Sequence, residues 1–167
     1  FGATSDQITW SISSYMVATA IIMPLTGYLV RKFGQSQVLL AGSVGFVISS
    51  VFCGLSSSLL MMVFFRLLQG GFGAVLIPIS QALLLDKFSK NDRAKIMAMW
   101  GIALMVGPLI GPILGGVITE NFSWRWVFFI NLPVGIVAIL LIFRDLEFNK
   151  KTDVFRTDWY GMVLLAV

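Results

Sequence analysis

The chain has 167 residues, of which 57% are hydrophobic and only 12% are charged, and its mean hydropathy is +0.90. Because charged residues make up about 25% of an average soluble domain, this composition excludes the soluble globular class and predicts an integral membrane protein. The net charge of +4 does not indicate a nucleic-acid partner, since the basic residues gather in short segments between long apolar runs. With no histidine and a single cysteine, the chain offers no ligands for a zinc or haem site, and we expect no metal.

Five apolar runs are long enough to cross about 30 Å of hydrocarbon. We predict spans at about 7–30, 36–56, 59–85, 94–119 and 124–143, which together form an all-α, polytopic transmembrane helix bundle. A further span starts at 159–167 and stops too soon to cross the bilayer. Because the chain begins with Phe1 rather than methionine, we expect residues 1–167 to be a partial transmembrane domain of a longer protein.

Lysine and arginine are distributed unevenly between the spans. By the positive-inside rule, the segments rich in these residues face the cytoplasm, and the turns at 54–58 and 120–125 face outside. We therefore expect a multi-pass protein of the inner cell membrane, embedded in the lipid bilayer, with its basic loops in the cytoplasm. Three alternate segments hold ten of the twelve basic residues, namely Arg31 and Lys32, then Lys87, Lys90, Arg93 and Lys95, then Arg144, Lys150, Lys151 and Arg156.

The first two spans contain residues that suit bending and close packing. Pro24 and Gly27 lie late in the first span, where they can bend the helix or admit a neighbour. The second span is rich in small residues, which predicts contact with other helices; these are Gly42, Ser43, Gly45, Ser49 and Ser50.

The third span contains Arg66, the only charged residue in the interior of a predicted span. Placing an arginine there costs about 2.5–3.5 kcal/mol, so it needs a partner or a cavity. On a helical projection, Gln69, Gly70, Gly73 and Gln81 lie within about 60° of Arg66. Two interpretations stay open: a structural arginine that snorkels to the interface, or one that lines a transport path beside a carboxylate. Since all eight acidic residues lie in loops or at span ends, that carboxylate is expected outside this chain.

The fourth span contains the run GPLIGPILGG at residues 107–116. Interior prolines and glycines destabilise a soluble helix, whereas membrane helices tolerate them. Glycines four residues apart drift by only about 40° around a helix, so this run predicts one smooth face for close packing and gating. The predicted face comprises Gly107, Pro108, Gly111, Pro112, Gly115 and Gly116.

The tryptophans and the cysteine receive simpler interpretations. Trp10, Trp124 and Trp126 lie near the predicted outer surface, where interfacial anchoring is favoured over stacking with a substrate. Cys53 lies in apolar sequence and is predicted to serve packing. No nucleophile, base and orienting group occur together, so we do not expect an enzyme.

Four of these motifs resemble motifs of the major facilitator superfamily. Residues 27–34 (GYLVRKFG) look like the loop motif between its second and third spans, with Gly27, Arg31, Lys32 and Gly34 at the matching positions. Residues 66–74 are similar to the fourth-span motif built around an arginine, and residues 107–116 resemble the antiporter motif of the fifth span. Residues 124–135 (WRWVFFINLPVG) resemble the sixth span of the EmrB/QacA type, which has about fourteen spans. Arg31 departs from the family, which often has an acidic residue there.

The resemblance implies spans two to six and the start of span seven, most of the N-terminal half of a transporter. It implies export of hydrophobic or cationic drugs by proton antiport, with the proton gradient as energy source and no cofactor. The implied partners are a small-molecule drug, the remainder of the transporter and, in Gram-negative relatives, a periplasmic adaptor. Arg66 would then act in proton coupling with a carboxylate on the absent first span. Alternatives are an exporter of a metabolite or siderophore on the same scaffold and, more remotely, a channel or receptor subunit.

Overall fold

The structure is a computed structural model that describes residues 5–145, and within this range it is all-α, as predicted. The predicted start of a further span at 159–167 lies outside the described residues. The elements are α1 (Ser5–Ile22), a 3-10 turn (Met23–Leu25), α2 (Thr26–Phe33), α3 (Gln35–Leu55), α4 (Leu59–Gly73), α5 (Leu76–Lys87), α6 (Arg93–Asn121), α7 (Trp126–Phe129) and α8 (Asn131–Asp145).

Five stretches of the described chain are long and apolar enough to cross a membrane. They cover Thr9–Phe33, Gln35–Leu55, Leu59–Lys87, Arg93–Asn121 and Trp126–Arg144. Three of the five are therefore built from more than one helical segment, since α1 continues into α2, α4 into α5 and α7 into α8.

Prolines accompany each of these interruptions. A proline lacks a backbone N–H and its ring clashes with the carbonyl four residues earlier. Pro78 is placed to disturb the carbonyl of Ala74, and the helix breaks at that point, between α4 and α5. Pro24 lies inside the 3-10 turn, and Pro133 follows the break between α7 and α8.

Helix α3 lies at the centre of the packed part of the molecule, where it contacts α2, α4, α5, α7 and α8. Its small residues admit bulky neighbours: a Cβ on Gly42 would lie 2.6 Å from a methyl of Val75, and one on Gly45 would overlap the ring of Phe72. The prediction that the second span packs through its small residues is thus confirmed. Without a strong hydrophobic force between helices in lipid, such close packing stabilises the bundle.

The connection between α2 and α3 is a single residue, Gly34. It has φ 92°, the only positive φ among the described residues, and this backbone conformation favours glycine. The sequence suggested a basic loop from Arg31 onward, but Gly27, Arg31 and Lys32 all lie within helix α2. The helix extends to Phe33 because nothing before the glycine interrupts its hydrogen bonds. Of the two motif glycines, only Gly34 forms the turn.

Helix α6 differs from the other four spans because none of its residues is buried. It is a continuous helix of 29 residues that includes Pro108 and Pro112 without a break. The described part of the chain therefore contains a packed group of helices around α3 and one long helix with little cover.

Candidate functional site

Arg66 lies on α4 and is held by side chains of its own and neighbouring helices. Its Nη1 donates a hydrogen bond to Oε1 of Gln69, one turn further along the helix, at 3.1 Å. The thiol of Cys53 on α3 donates to the same oxygen at 3.8 Å. Gln69 is only 1% exposed and Cys53 is fully buried. The amide thus ties the arginine to the packed interface between α3 and α4.

Two aromatic rings flank the Arg66 guanidinium. Its Cζ atom lies 4.9 Å from the ring centroid of Phe128 on α7 and 5.6 Å from that of Tyr15 on α1. A cation over a ring face is stabilised by about 0.5–2 kcal/mol, more where water is excluded. Four separate helices therefore contribute to the surroundings of this one charge.

The charge of Arg66 has no acidic partner within the described residues. The titratable side chains facing it in residues 9–144 are Tyr15 and Cys53, and its Nε is buried without a hydrogen-bond partner there. A buried cation is costly unless it is paired and fully hydrogen-bonded. The site therefore has unused capacity to bind an anion.

Gly70 and Gly73 allow α1 to approach α4 next to Arg66. A Cβ at Gly70 would collide with the backbone carbonyl of Tyr15, and one at Gly73 would lie 3.1 Å from the Tyr15 hydroxyl. The Thr19 hydroxyl lies 3.2 Å from the carbonyl oxygen of Gly70, across the same contact. Gly70 is needed because the two helix backbones nearly touch there, whereas Gly73 makes room for side chains, namely the Tyr15 hydroxyl and the Phe46 ring.

Gln81 is not part of this cluster. It lies 15 residues beyond Arg66, on α5, which is about 22 Å along the span, and its Nε2 donates to Sδ of Met97 on α6 at 3.7 Å. Of the five residues that the sequence placed on one transport face, the structure brings Arg66, Gln69, Gly70 and Gly73 together. The break after Gly73 separates Gln81 from them. Whether any of the five acts in transport stays a prediction.

The run at 107–116 faces away from the described helices. Added Cβ atoms at Gly107, Gly111, Gly115 and Gly116 would meet no heavy atom within 4 Å outside the helix's own backbone and chain neighbours, and Pro108 and Pro112 are exposed. The helix is therefore free on the side where the sequence predicted a close neighbour. Its role in packing and gating stays a prediction, which needs a partner from outside residues 5–145.

An apolar cavity of about 790 Å³ lies beside α4, toward the Gly34 turn. Residues from α1 to α4 line it, including Ile21, Leu29, Val38, Leu67 and Phe72. Its size falls within the range of about 300–1,000 Å³ typical of small-molecule sites. Leu67 lines this cavity while Arg66 contacts Phe128, so the cavity and the arginine cluster occupy different surfaces of α4.

Several residues of the arginine cluster are not evident from the sequence. Tyr15 and Phe128 have no distinguishing pattern among the many aromatic residues, and Cys53 was assigned to packing alone. Trp124 stacks edge-on against Phe128 at 6.2 Å, a contact that the sequence did not indicate, while its role as an interfacial anchor stays a prediction. The motif at residues 124–135 was the available signal, because it places a group of aromatic residues at the start of a span.

The five apolar stretches and the partly buried arginine define a multi-pass helical membrane protein. Residues 1–164 match the model of the Major Facilitator Superfamily, and the chain belongs to this family. The resemblance that the motifs predicted is confirmed.

The chain is similar to several named export and resistance proteins. It is 41% identical over 167 residues to the multidrug export protein EmrB of Escherichia coli strain K12, covering 99% of this chain and 33% of the relative. It is 40% identical over 168 residues to the fatty acid resistance protein FarB of Neisseria gonorrhoeae, with the same coverage. It is 34% identical over 162 residues to multidrug resistance protein 3 of Bacillus subtilis, covering 97% of this chain and 32% of the relative. The chain thus spans about a third of the length of these relatives.

Proposed function

We propose that the transporter containing this chain exports hydrophobic or cationic drugs by proton antiport. The similarity to multidrug export proteins such as EmrB supports the substrate class. The observation that carries the coupling proposal is Arg66, a charge enclosed by four helices with no acidic partner among the described residues. The proton gradient supplies the energy, and no bound cofactor is needed.

In the proposed mechanism, Arg66 pairs with a carboxylate contributed by residues outside this chain. Gln69, Tyr15 and Phe128 hold the guanidinium in place. When the carboxylate binds a proton, it loses its charge and its attraction to Arg66, and the bundle is free to rearrange. Rocking of this half against a second half then exposes the drug to the opposite side of the membrane.

The proposed orientation places the Gly34 turn and the adjacent Arg31 and Lys32 in the cytoplasm of an inner-membrane protein. The turn at 56–58 and residue Arg125 then face outward, where a periplasmic adaptor would bind in a Gram-negative cell. Cysteines introduced at Ser57 and at Gln35 test this arrangement. An impermeant maleimide added to intact cells is expected to label the first and not the second.

Purified full-length transporter in proteoliposomes tests the function directly. With ethidium as the lipophilic cation and pyranine as the pH indicator, an imposed pH gradient should drive ethidium against its concentration gradient while protons move the opposite way. Breaking a buried ion pair costs about 3–5 kcal/mol, so Arg66→Gln should reduce gradient-driven efflux by roughly 100-fold or more. The matched control is Arg144→Gln, because Arg144 is exposed at the end of α8. Ethidium movement without proton counterflow would refute antiport.

A second candidate substrate class is fatty acids, favoured by the 40% identity to FarB. In this case Arg66, which has no acidic partner among the described residues, would bind the carboxylate of the substrate itself. The two candidates differ in how Arg66→Gln acts: with laurate as substrate the KM should rise strongly, whereas with ethidium the coupling to protons should fail. Competition between laurate and ethidium in the same vesicles separates them further.

A further inference from the structure

Residues 124–131, here called the tryptophan segment, form three hydrogen bonds with Ser50 on α3 and with Ser56, the residue that follows α3. Near the turn, Nη2 of Arg125 donates to the carbonyl of Ser56 at 3.3 Å. Deeper in the bundle, the Ser50 hydroxyl donates to the carbonyl of Phe128 at 2.9 Å, and Nδ2 of Asn131 donates to the Ser50 oxygen at 3.0 Å. Ser50 is fully buried, so these hydrogen bonds form away from water.

The local sequence explains why the backbone of this segment needs such support. Helix α7 has only four residues and ends at Phe129, and Ile130 separates it from α8, which begins at Asn131. At the break, the Ile130 N–H is shared between the carbonyls of Phe128 and Trp126. The Ser50 hydroxyl gives the Phe128 carbonyl a further donor, which matters in a membrane because an unsatisfied carbonyl there costs several kcal/mol. Asn131 in turn fixes the direction of the Ser50 hydroxyl by using its oxygen as an acceptor.

Phe128, whose carbonyl accepts the hydrogen bond from Ser50, is also the residue whose ring lies closest to the Arg66 guanidinium. Phe128 is 7% exposed, and its ring centroid lies 4.9 Å from Cζ of Arg66. Its ring position follows from the position of its backbone, which the Ser50 bond sets. None of the three hydrogen bonds involves the remaining neighbours of Arg66, which are Gln69, Tyr15 and Cys53.

We propose that Ser50 and Asn131 are positioning residues for Arg66, and that they act by holding the Phe128 ring against the guanidinium. The hydrogen bonds from Asn131 to Ser50 and from Ser50 to Phe128, here called the Ser50 bridge, link the start of the fifth span to Arg66. The proposal rests on the proposed function for its effect on transport, but not for its effect on the geometry of the site.

The test uses the full transporter and the pH dependence of ethidium efflux in proteoliposomes. Ser50→Ala and Phe128→Leu should each shift the midpoint of the pH profile by about half a pH unit, the size expected for losing one cation–π contact. Because both act through the same ring, Ser50→Ala should cause no further shift when added to Phe128→Leu. Phe128→Tyr, which keeps the ring face, should retain the wild-type midpoint.

Ser43→Ala is the matched control. Ser43 is buried on the same helix, and its hydroxyl donates to the Leu39 carbonyl of that helix at 2.8 Å. The substitution removes the same atom and a bond of similar length, so it reports any loss of stability without touching the Ser50 bridge. Its pH midpoint should stay at the wild-type value. Equal shifts from Ser43→Ala and Ser50→Ala, or additive shifts in the double variant, would overturn the proposal.

A second readout separates this proposal from the proposed function. In arginine-labelled transporter, the side-chain NMR signals of Arg66, assigned through Arg66→Lys, should carry an upfield ring-current shift from Phe128. Ser50→Ala and Asn131→Ala should reduce that shift, and Ser43→Ala should not. If the wild-type protein shows no proton-coupled efflux but the Arg66 signals change in Ser50→Ala and Asn131→Ala, the antiport proposal is refuted and the positioning role is kept. If the Arg66 signals are the same in these variants as in the wild type, the positioning role is refuted.

Discussion

Glycines serve different purposes on the packed helices α3 and α4 and on the exposed helix α6. On α3 and α4, Gly42, Gly45 and Gly70 each have another helix against them, and added Cβ atoms would collide with it. On α6, Gly111 and Gly115 recur with regular spacing, yet no such contact exists within residues 5–145. Regular spacing identifies a smooth face but not the partner of that face. The irregular glycines of α3 and α4 are the ones that pack here, because bulky side chains or a backbone lie opposite them.

The largest expected effect concerns the exposed face of α6. In the full transporter, Gly111→Leu or Gly115→Leu should abolish drug efflux, because each adds four carbons to a face that we predict seals against a helix from outside this chain. Growth of drug-sensitive cells on ethidium, at matched expression of each variant, measures the loss.

Ile113→Leu is the control for these two variants, since Ile113 lies on the same helix, is 66% exposed and changes little in volume. It should retain wild-type resistance. Normal resistance with Gly111→Leu and Gly115→Leu would show that the regular glycine face has no close partner in the whole protein.

A smaller effect is expected where the partner is already visible. Gly70→Ala puts a Cβ against the backbone carbonyl of Tyr15, and a backbone atom cannot move aside as a flexible side chain can. Overpacking of this kind costs about 1–3 kcal/mol, and we expect the upper end. The midpoint of thermal unfolding of the detergent-solubilised transporter should fall by several degrees.

Gly71→Ala provides the matched comparison one residue away. Its Cβ would lie 3.7 Å from Cγ1 of Ile22, an ordinary contact, so its unfolding midpoint should equal or exceed that of the wild type because alanine favours the helix. Similar losses from Gly70→Ala and Gly71→Ala would contradict the close approach of α1 to α4.

The smallest expected effect comes from the two glycines of the loop motif. Gly34→Ala should cost about 1–2 kcal/mol because an alanine at φ 92° is strained. Gly27→Ala should be neutral or stabilising, since Gly27 lies in helix α2 with nothing within 4 Å of an added Cβ. Urea or thermal unfolding of both variants in the same detergent measures the two losses of stability. A greater loss of stability from Gly27→Ala than from Gly34→Ala would contradict the assignment of the turn to Gly34.

Much of the fold could be predicted from the sequence, because the membrane makes long apolar runs decisive. Runs of about 20 apolar residues must become helices, since lipid cannot satisfy open backbone groups. The prolines were harder to interpret. Pro78 and Pro133 coincide with breaks, whereas Pro108 and Pro112 lie in an unbroken helix. Whether a proline breaks a span depends on neighbouring helices and side chains, which periodicity does not describe.

The candidate site could be predicted only along its own helix. A helical projection correctly grouped Arg66 with Gln69, Gly70 and Gly73, because these residues lie within two turns on one face. It also included Gln81, since a projection does not account for a break in the helix. The partners Tyr15 and Phe128 come from other spans, and their positions depend on how helices cross. One sequence contains no direct signal for such crossings.

The length of α6 has a consequence for how the protein sits in the bilayer. Its 29 residues extend about 43 Å at 1.5 Å per residue, which exceeds the roughly 30 Å of hydrocarbon that it must cross. Such a helix tilts or extends into the headgroups. A change in tilt swings its two ends in opposite directions, so a lever of this length converts a small rotation at the membrane centre into a large displacement at each surface.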